Sequence, residues 1–102
     1  MTIVLVEEYY VRYENRAKMR ELRLKRNEIL KSIKALNSIK TYTQLYGGFD
    51  SFIEFLEFES LSGIDEFVKE AFSIEEFIKV AEEIRSLIEP NSLTRRIWRQ
   101  AN

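Results

Sequence analysis

The side chains of this chain that could do chemistry are carboxylates and guanidinium groups. Arg12, Arg16, Arg20 and Arg23 recur at four- and three-residue spacing, with Lys18, Lys25, Lys31 and Lys34 nearby. On a helix they would form one stripe, able to track the phosphates of a nucleic-acid backbone or simply to face solvent and acidic partners. A second cationic group, Arg95, Arg96 and Arg99, surrounds Trp98. A tryptophan among arginines can stack on a base, or it can lie as a hydrophobic lid with the arginines reaching past it to water. Glu75-Glu76 and Glu82-Glu83 are the paired carboxylates that acid–base catalysis would use. They fall on the outer face of an amphipathic helix, where nothing desolvates them.

Other chemistry is removed by composition. The sequence contains neither histidine nor cysteine. That takes away the commonest general base near neutral pH, thiol nucleophiles, disulfides and the usual zinc ligands. No acidic loop has the spacing of a calcium or magnesium site. The expectation is a protein that is not an enzyme and uses no metal and no cofactor.

At 102 residues the chain is expected to be a single domain, residues 1–102, large enough for its own core. Ile3 to Val6 is a short apolar run followed at once by Glu7 and Glu8, neither a signal peptide nor a membrane span. No membrane partner is therefore expected. The net charge of −1 conceals a division: residues 1–46 carry ten basic against five acidic side chains, and residues 47–89 three against twelve. Two halves of one domain with opposite charge attract each other, and a basic face for nucleic acid is the alternative.

The elements read as helices. Met19, Leu22, Ile29, Ile33 and Leu36 form one stripe at helical spacing over residues 14–36, with Arg26 intruding on it. Residues 2–13, rich in β-branched and aromatic side chains, read as a helix, with a strand as the alternative. Beyond them, a shift of 25 residues lays Ser38 to Glu57 over Gly63 to Glu82, apolar on apolar at most inward-looking positions. The two copies, 38–59 and 63–84, each read as helix, turn, helix. Gly47 or Gly48 ends the short helix 39–46, and Ser73 to Glu76 form a capping box for the longer second helix. Pro90 stops that helix, and residues 93–100 form a last short one.

The fold class so expected is all-α: two related helix-turn-helix units with a long N-terminal and a short C-terminal helix, or α+β if residues 2–13 are a strand. Phe49, Phe52, Phe55 and Phe58 make the helix over 49–58 apolar nearly all round, so it must be covered on two sides. One cover is the core. The other is a groove between the units, in which Tyr42, Phe52, Phe55, Phe67, Phe77 and Trp98 would hold a protein or peptide partner. The functional expectation is thus a protein–protein interaction module. The alternative is a nucleic-acid binder using Arg12, Arg16, Arg20, Arg23, Arg95 and Arg99.

Taken whole, the chain resembles the small proteins of Acidianus filamentous virus, a lipothrixvirus of hyperthermophilic archaea. The resemblance lies in the length, the opening MTIVLVEEYY, the tract RAKMRELRLKRNEILKSIKALNS and the ending TRRIWRQAN. It implies a virus-encoded protein of the host-cell cytoplasm with no enzymatic role, and it carries no site residues. The composition, heavy in Ile, Glu, Lys and Arg with one proline, leans the same way.

Overall fold

The computed structural model describes residues 2–44 and 50–102. Its fold is α+β. Strand β1 (Ile3–Val11) leads through a 3₁₀ turn (Tyr13–Asn15) into helix α1 (Arg16–Leu30). Strands β2 (Ser38–Thr43) and β3 (Asp50–Phe58) follow, then helices α2 (Leu61–Ala71) and α3 (Glu75–Leu87), and finally strand β4 (Thr94–Arg99). The strands form one sheet in the order β2-β3-β1-β4, and each neighbouring pair is antiparallel. A βαββαβ chain with the first and third strands central is the ferredoxin-like arrangement, here with two helices in the second helical position.

The all-α expectation is overturned by this sheet. Residues 2–13 follow the α+β alternative, β1 being a strand. The first repeat copy, 38–59, holds β2 and β3, whereas the second, 63–84, holds most of α2 and α3. The two cannot superpose, and the internal repeat falls with them. The last segment, read as a helix over 93–100, is the edge strand β4. The expected turn at Gly47-Gly48 and Phe49 lies outside the described residues.

The physical cause of the misreading is visible in β3. Its inward side chains are Phe52, Glu54, Leu56 and Phe58, all buried, while Ile53 and Phe55 on the outward face are also apolar. A strand apolar on both faces loses the two-residue alternation and cannot be told from a buried helix by periodicity alone. The capping box is likewise absent. Ser73 Oγ donates back to the Glu70 carbonyl at 2.6 Å, and α3 starts from Ile74 with no side-chain cap. The helix that does carry a serine cap is α2, where Ser60 accepts from the Gly63 amide at 3.3 Å.

The helices cover one face of the sheet. Beneath them the core divides into two apolar clusters. One joins Ile3, Leu56 and Phe58 of the sheet to Leu30, Ile33, Phe67, Ala71 and Phe77. The other joins Tyr9, Val11 and Phe52 to Met19, Leu22, Val80 and Ile84. On the opposite face, which no helix of the described residues covers, Tyr42 meets Phe55 edge-on at 5.7 Å, and Trp98 is 56% exposed.

Candidate functional site

Between the two apolar clusters the sheet carries a polar row. Cross-strand register places Thr41 beside Glu54, Glu54 beside Glu7, and Glu7 beside Arg95. All four face the helices. Two carboxylates directly opposite each other repel, so the row stands only because each has its own cation. Arg95 donates from Nε to Glu7 Oε2 at 2.6 Å. Arg26, projecting from α1, forks onto Glu54 through both terminal nitrogens.

Glu54 is 1% exposed and saturated. Its Oε2 accepts from the Tyr9 hydroxyl at 2.6 Å and from Arg26 at 3.3 Å, and its Oε1 accepts from Arg26 and from Thr41 Oγ1 at 3.3 Å. Four donors fill the roughly four lone-pair positions of an ionised carboxylate. Burial alone would raise the Glu54 pKa. The Arg26 charge and hydrogen bonds outweigh it, helped by Arg23, and hold the carboxyl below the usual range. Burial first, and then the Glu54 charge, push the Tyr9 phenol well above its ordinary value, so it stays protonated. Arg26 is raised: burial works against its charge, but the Glu54 carboxylate more than compensates. Its Nε and NH2 also donate to Asn27 Oδ1, at 3.1 and 2.9 Å.

Above this floor lies a cavity of about 560 Å3, bounded by the inner sheet face and by α1, α2 and α3. Thirteen of its nineteen lining side chains are apolar, with Phe67, Phe72 and Phe77 forming an aromatic wall. Phe72 meets Phe77 edge-on at 5.3 Å, so this wall is held by its own packing. Glu7, Tyr9, Arg26 and Glu54 supply the floor, and Arg85 and Arg95 also line the cavity. A largely apolar hollow with a few convergent polar groups, at about 300–1,000 Å3, is the form that small-molecule sites take.

The segment after α3 borders this cavity. Pro90 prevents continuation of the helix, and Ile88 is already extended. The Glu89 amide donates to the Tyr10 carbonyl at 2.8 Å, and Ser92 Oγ accepts from the Tyr10 amide at 3.1 Å. Asn91 takes a positive φ of 66°, which asparagine tolerates better than most residues. Arg12 Nε reaches Glu89 Oε1 at 2.7 Å. Pinned in this way along β1, the segment turns Ile88 and Leu93 into the cavity.

The expected groove residues do not meet at one seam. Phe52 is wholly buried in the core; Phe67 and Phe77 line the cavity under the helices; Tyr42, Phe55 and Trp98 occupy the other side of the sheet. A groove between two repeated units is thereby overturned, together with the peptide-binding expectation built on it. The arginine stripe is dispersed as well. Arg12 precedes α1 and pairs with Glu89, Arg16 lies over the Tyr13 ring at 4.8 Å, Arg20 is exposed and Arg23 is buried. Arg95 is engaged with Glu7 and Arg99 lies on the edge strand β4. These six arginines form no common phosphate-tracking row, and the nucleic-acid alternative falls too.

Arg23 is a separate finding. Its guanidinium lies over the Phe52 ring at 4.6 Å, while its buried Nε and NH1 have no hydrogen-bond partner. A ring face compensates a desolvated cation only partly. Arg23→Met is therefore expected to leave folding stability unchanged or raise it by about 1 kcal/mol, because relief of two buried donors without acceptors, at similar volume, offsets the loss of a charge that favours the Glu54 carboxylate. Urea unfolding of this variant checks it; a loss of several kcal/mol would show that the cation is well compensated.

Among the described residues, no cluster of three or more acidic side chains is arranged to hold a metal ion. The paired carboxylates Glu75-Glu76 and Glu82-Glu83 are exposed on α3, away from the polar row. Sequence reasoning missed Glu7, Tyr9 and Glu54, and flagged Arg26 only as an intruder.

No protein-family model matches the chain, and no curated protein matches it. Solved structures do. A NIPSNAP family protein from Agrobacterium tumefaciens aligns with TM-score 0.80 at 15% identity, over 100% of this chain and 95% of its own. A conserved protein from Methanosarcina mazei aligns with TM-score 0.80 at 13% identity, over 98% and 93%. SnoaB, a cofactor-independent oxygenase from Streptomyces nogalater, aligns with TM-score 0.78 at 8% identity, over 99% and 94%. At such identities the likeness establishes the fold. The expectation of a non-enzyme thus meets a fold that a named oxygenase also has, and the chain is similar in architecture to the ferredoxin-like domains of these proteins.

Proposed function

We propose that this chain is a small-molecule-binding domain whose site is the cavity between the inner sheet face and the helices. The observation that carries the proposal is the 560 Å3 hollow itself, apolar on its walls and polar along one row of its floor. The similar architecture of a named oxygenase supports a small-molecule role over a macromolecular one.

Nile red, a neutral dye that brightens on leaving water, is expected to bind the wild type with one-to-one stoichiometry. Ala81 lines the cavity from α3, and Ala81→Phe would project a ring into it. That variant is expected to weaken dye binding at least tenfold while folding stability is kept or raised, because the added ring occupies empty space. Equal binding by both proteins, or none by either, would remove the cavity as a binding site.

A cofactor-independent oxygenase is the second reading, supported by the fold shared with SnoaB. Oxygenation without a cofactor needs an electron-rich substrate, which in general means taking a proton from it. Glu54 is saturated by donors and Tyr9 holds its own proton, so neither is a free base. Glu7 is different: Arg95 engages its Oε2, and its Oε1 has no hydrogen-bond partner among the described residues. Glu7 is the residue on which such a reaction would depend. Binding is the reading better supported, because it requires nothing beyond the cavity.

A further inference from the structure

The geometry points to an amphiphilic monoanion, an apolar body bearing one carboxylate, as the occupant of this cavity, with Arg85 receiving the carboxylate. The inference rests on the cavity being the binding site and specifies the chemistry of its ligand. Five charged side chains line the hollow: Glu7, Arg26, Glu54, Arg85 and Arg95. Four of them cancel in pairs. Arg26 is held by Glu54, and Arg95 by Glu7 at 2.6 Å. The Arg85 side chain forms no ion pair or hydrogen bond among the described residues, so the lining carries one uncommitted positive charge.

Position favours the same assignment. Arg85 lies on the exposed side of α3, one helical turn beyond Ala81, so its guanidinium is wet while the neighbouring Ile84 and Ile88 point into the hollow. A ligand whose apolar body lies against the phenylalanine wall can therefore keep its carboxylate hydrated and still reach a guanidinium, avoiding the full cost of burying a charge. A dianion would have to displace Glu7 or Glu54 from its arginine. A cation would meet three arginines against two carboxylates already taken. One apolar body with one negative charge matches the lining on both counts.

Displacement of Nile red by 2-naphthylacetate and by 2-(2-naphthyl)ethanol, which share the apolar body, tests this. For the wild type at low salt the acid is expected to bind about fivefold tighter than the alcohol, the scale of a partly exposed ion pair. The preference should shrink as salt screens it. Arg85→Met should bring the acid-to-alcohol ratio to about one. Arg96→Met removes the same charge from β4 on the opposite face of the sheet and should leave the ratio near five. Equal binding of acid and alcohol by the wild type would overturn the inference while leaving the cavity as a binding site. A preference for the acid that survives Arg85→Met would overturn the role of Arg85. Binding of neither compound would remove both the inference and the cavity reading.

Discussion

Replacing Glu54 by leucine, or Arg26 by methionine, is expected to cost about 3–5 kcal/mol of folding stability, while replacing both costs far less than the sum. Each single change leaves a charge in the interior. Without Glu54, the buried Arg26 guanidinium keeps Asn27 Oδ1 as a hydrogen-bond partner but loses its paired charge, and the Tyr9 hydroxyl loses its acceptor; without Arg26, the carboxylate keeps only two hydroxyl donors. Breaking a buried pair from one side is costly because the remaining ion stays desolvated. The double variant removes both ions and leaves only the Tyr9 and Thr41 hydroxyls to be accommodated. Urea unfolding of the four proteins is expected to give a coupling of at least about 2 kcal/mol; additive losses would mean that the pair contributes no mutual stabilisation.

The same carboxylate gives a pH signature. Its pKa is lower in the folded chain than in the unfolded one, so the unfolded state binds the proton first as pH falls. The stability contributed by Glu54 is then complete above the ordinary carboxylate pKa, about 4.3, and is lost as pH falls through the lowered folded value. Wild type should therefore lose more stability between pH 5 and pH 3 than Glu54→Gln does.

Half of this pair was visible in the sequence. Arg26 interrupts an otherwise apolar stripe on α1, and a charge in such a place needs a partner. The partner was hidden by the assignment of residues 49–58 to a helix, which puts Glu54 on a wet face with Asp50 and Glu57. In a strand, position 54 shares a face with 52, 56 and 58, and the single acid among Phe52, Leu56 and Phe58 becomes the match for Arg26. Period alone could not choose, because Ile53 and Phe55 make the outward face apolar too. The β-branched and aromatic run at Ile3–Val11 was the available clue, since a lone strand leaves an edge that needs partners. The cavity was legible only through what forms it. Pairing of Glu7 with both Glu54 and Arg95 joins positions 47 and 88 residues apart, and such register belongs to the tertiary fold.

Phe52→Ala is expected to cost about 3–5 kcal/mol and Phe55→Ala about 1–2, and the difference separates the observed sheet from a helical groove. On a helix, residues 52 and 55 are neighbours on one face, so truncating either would disturb the same packing. On β3 they point to opposite sides. Phe52 is 0% exposed, stacked on Tyr9 with centroids 5.7 Å apart and covered by the Arg23 guanidinium. Its loss removes a full aromatic transfer term and opens a void beside the Glu54 network, which the surrounding strands can only partly close. Phe55 is partly exposed and meets chiefly the edge of Tyr42. Its truncation forfeits part of its buried area and one aromatic pair, worth about 0.5–1.5 kcal/mol. Nile red binding extends the comparison, because the sheet separates Phe55 from the cavity while Phe52 packs against Tyr9 on its floor. Phe55→Ala should bind the dye as the wild type does, at a protein concentration where both are folded. Equal stability losses from the two truncations would contradict the assignment of their side chains to opposite faces of one strand.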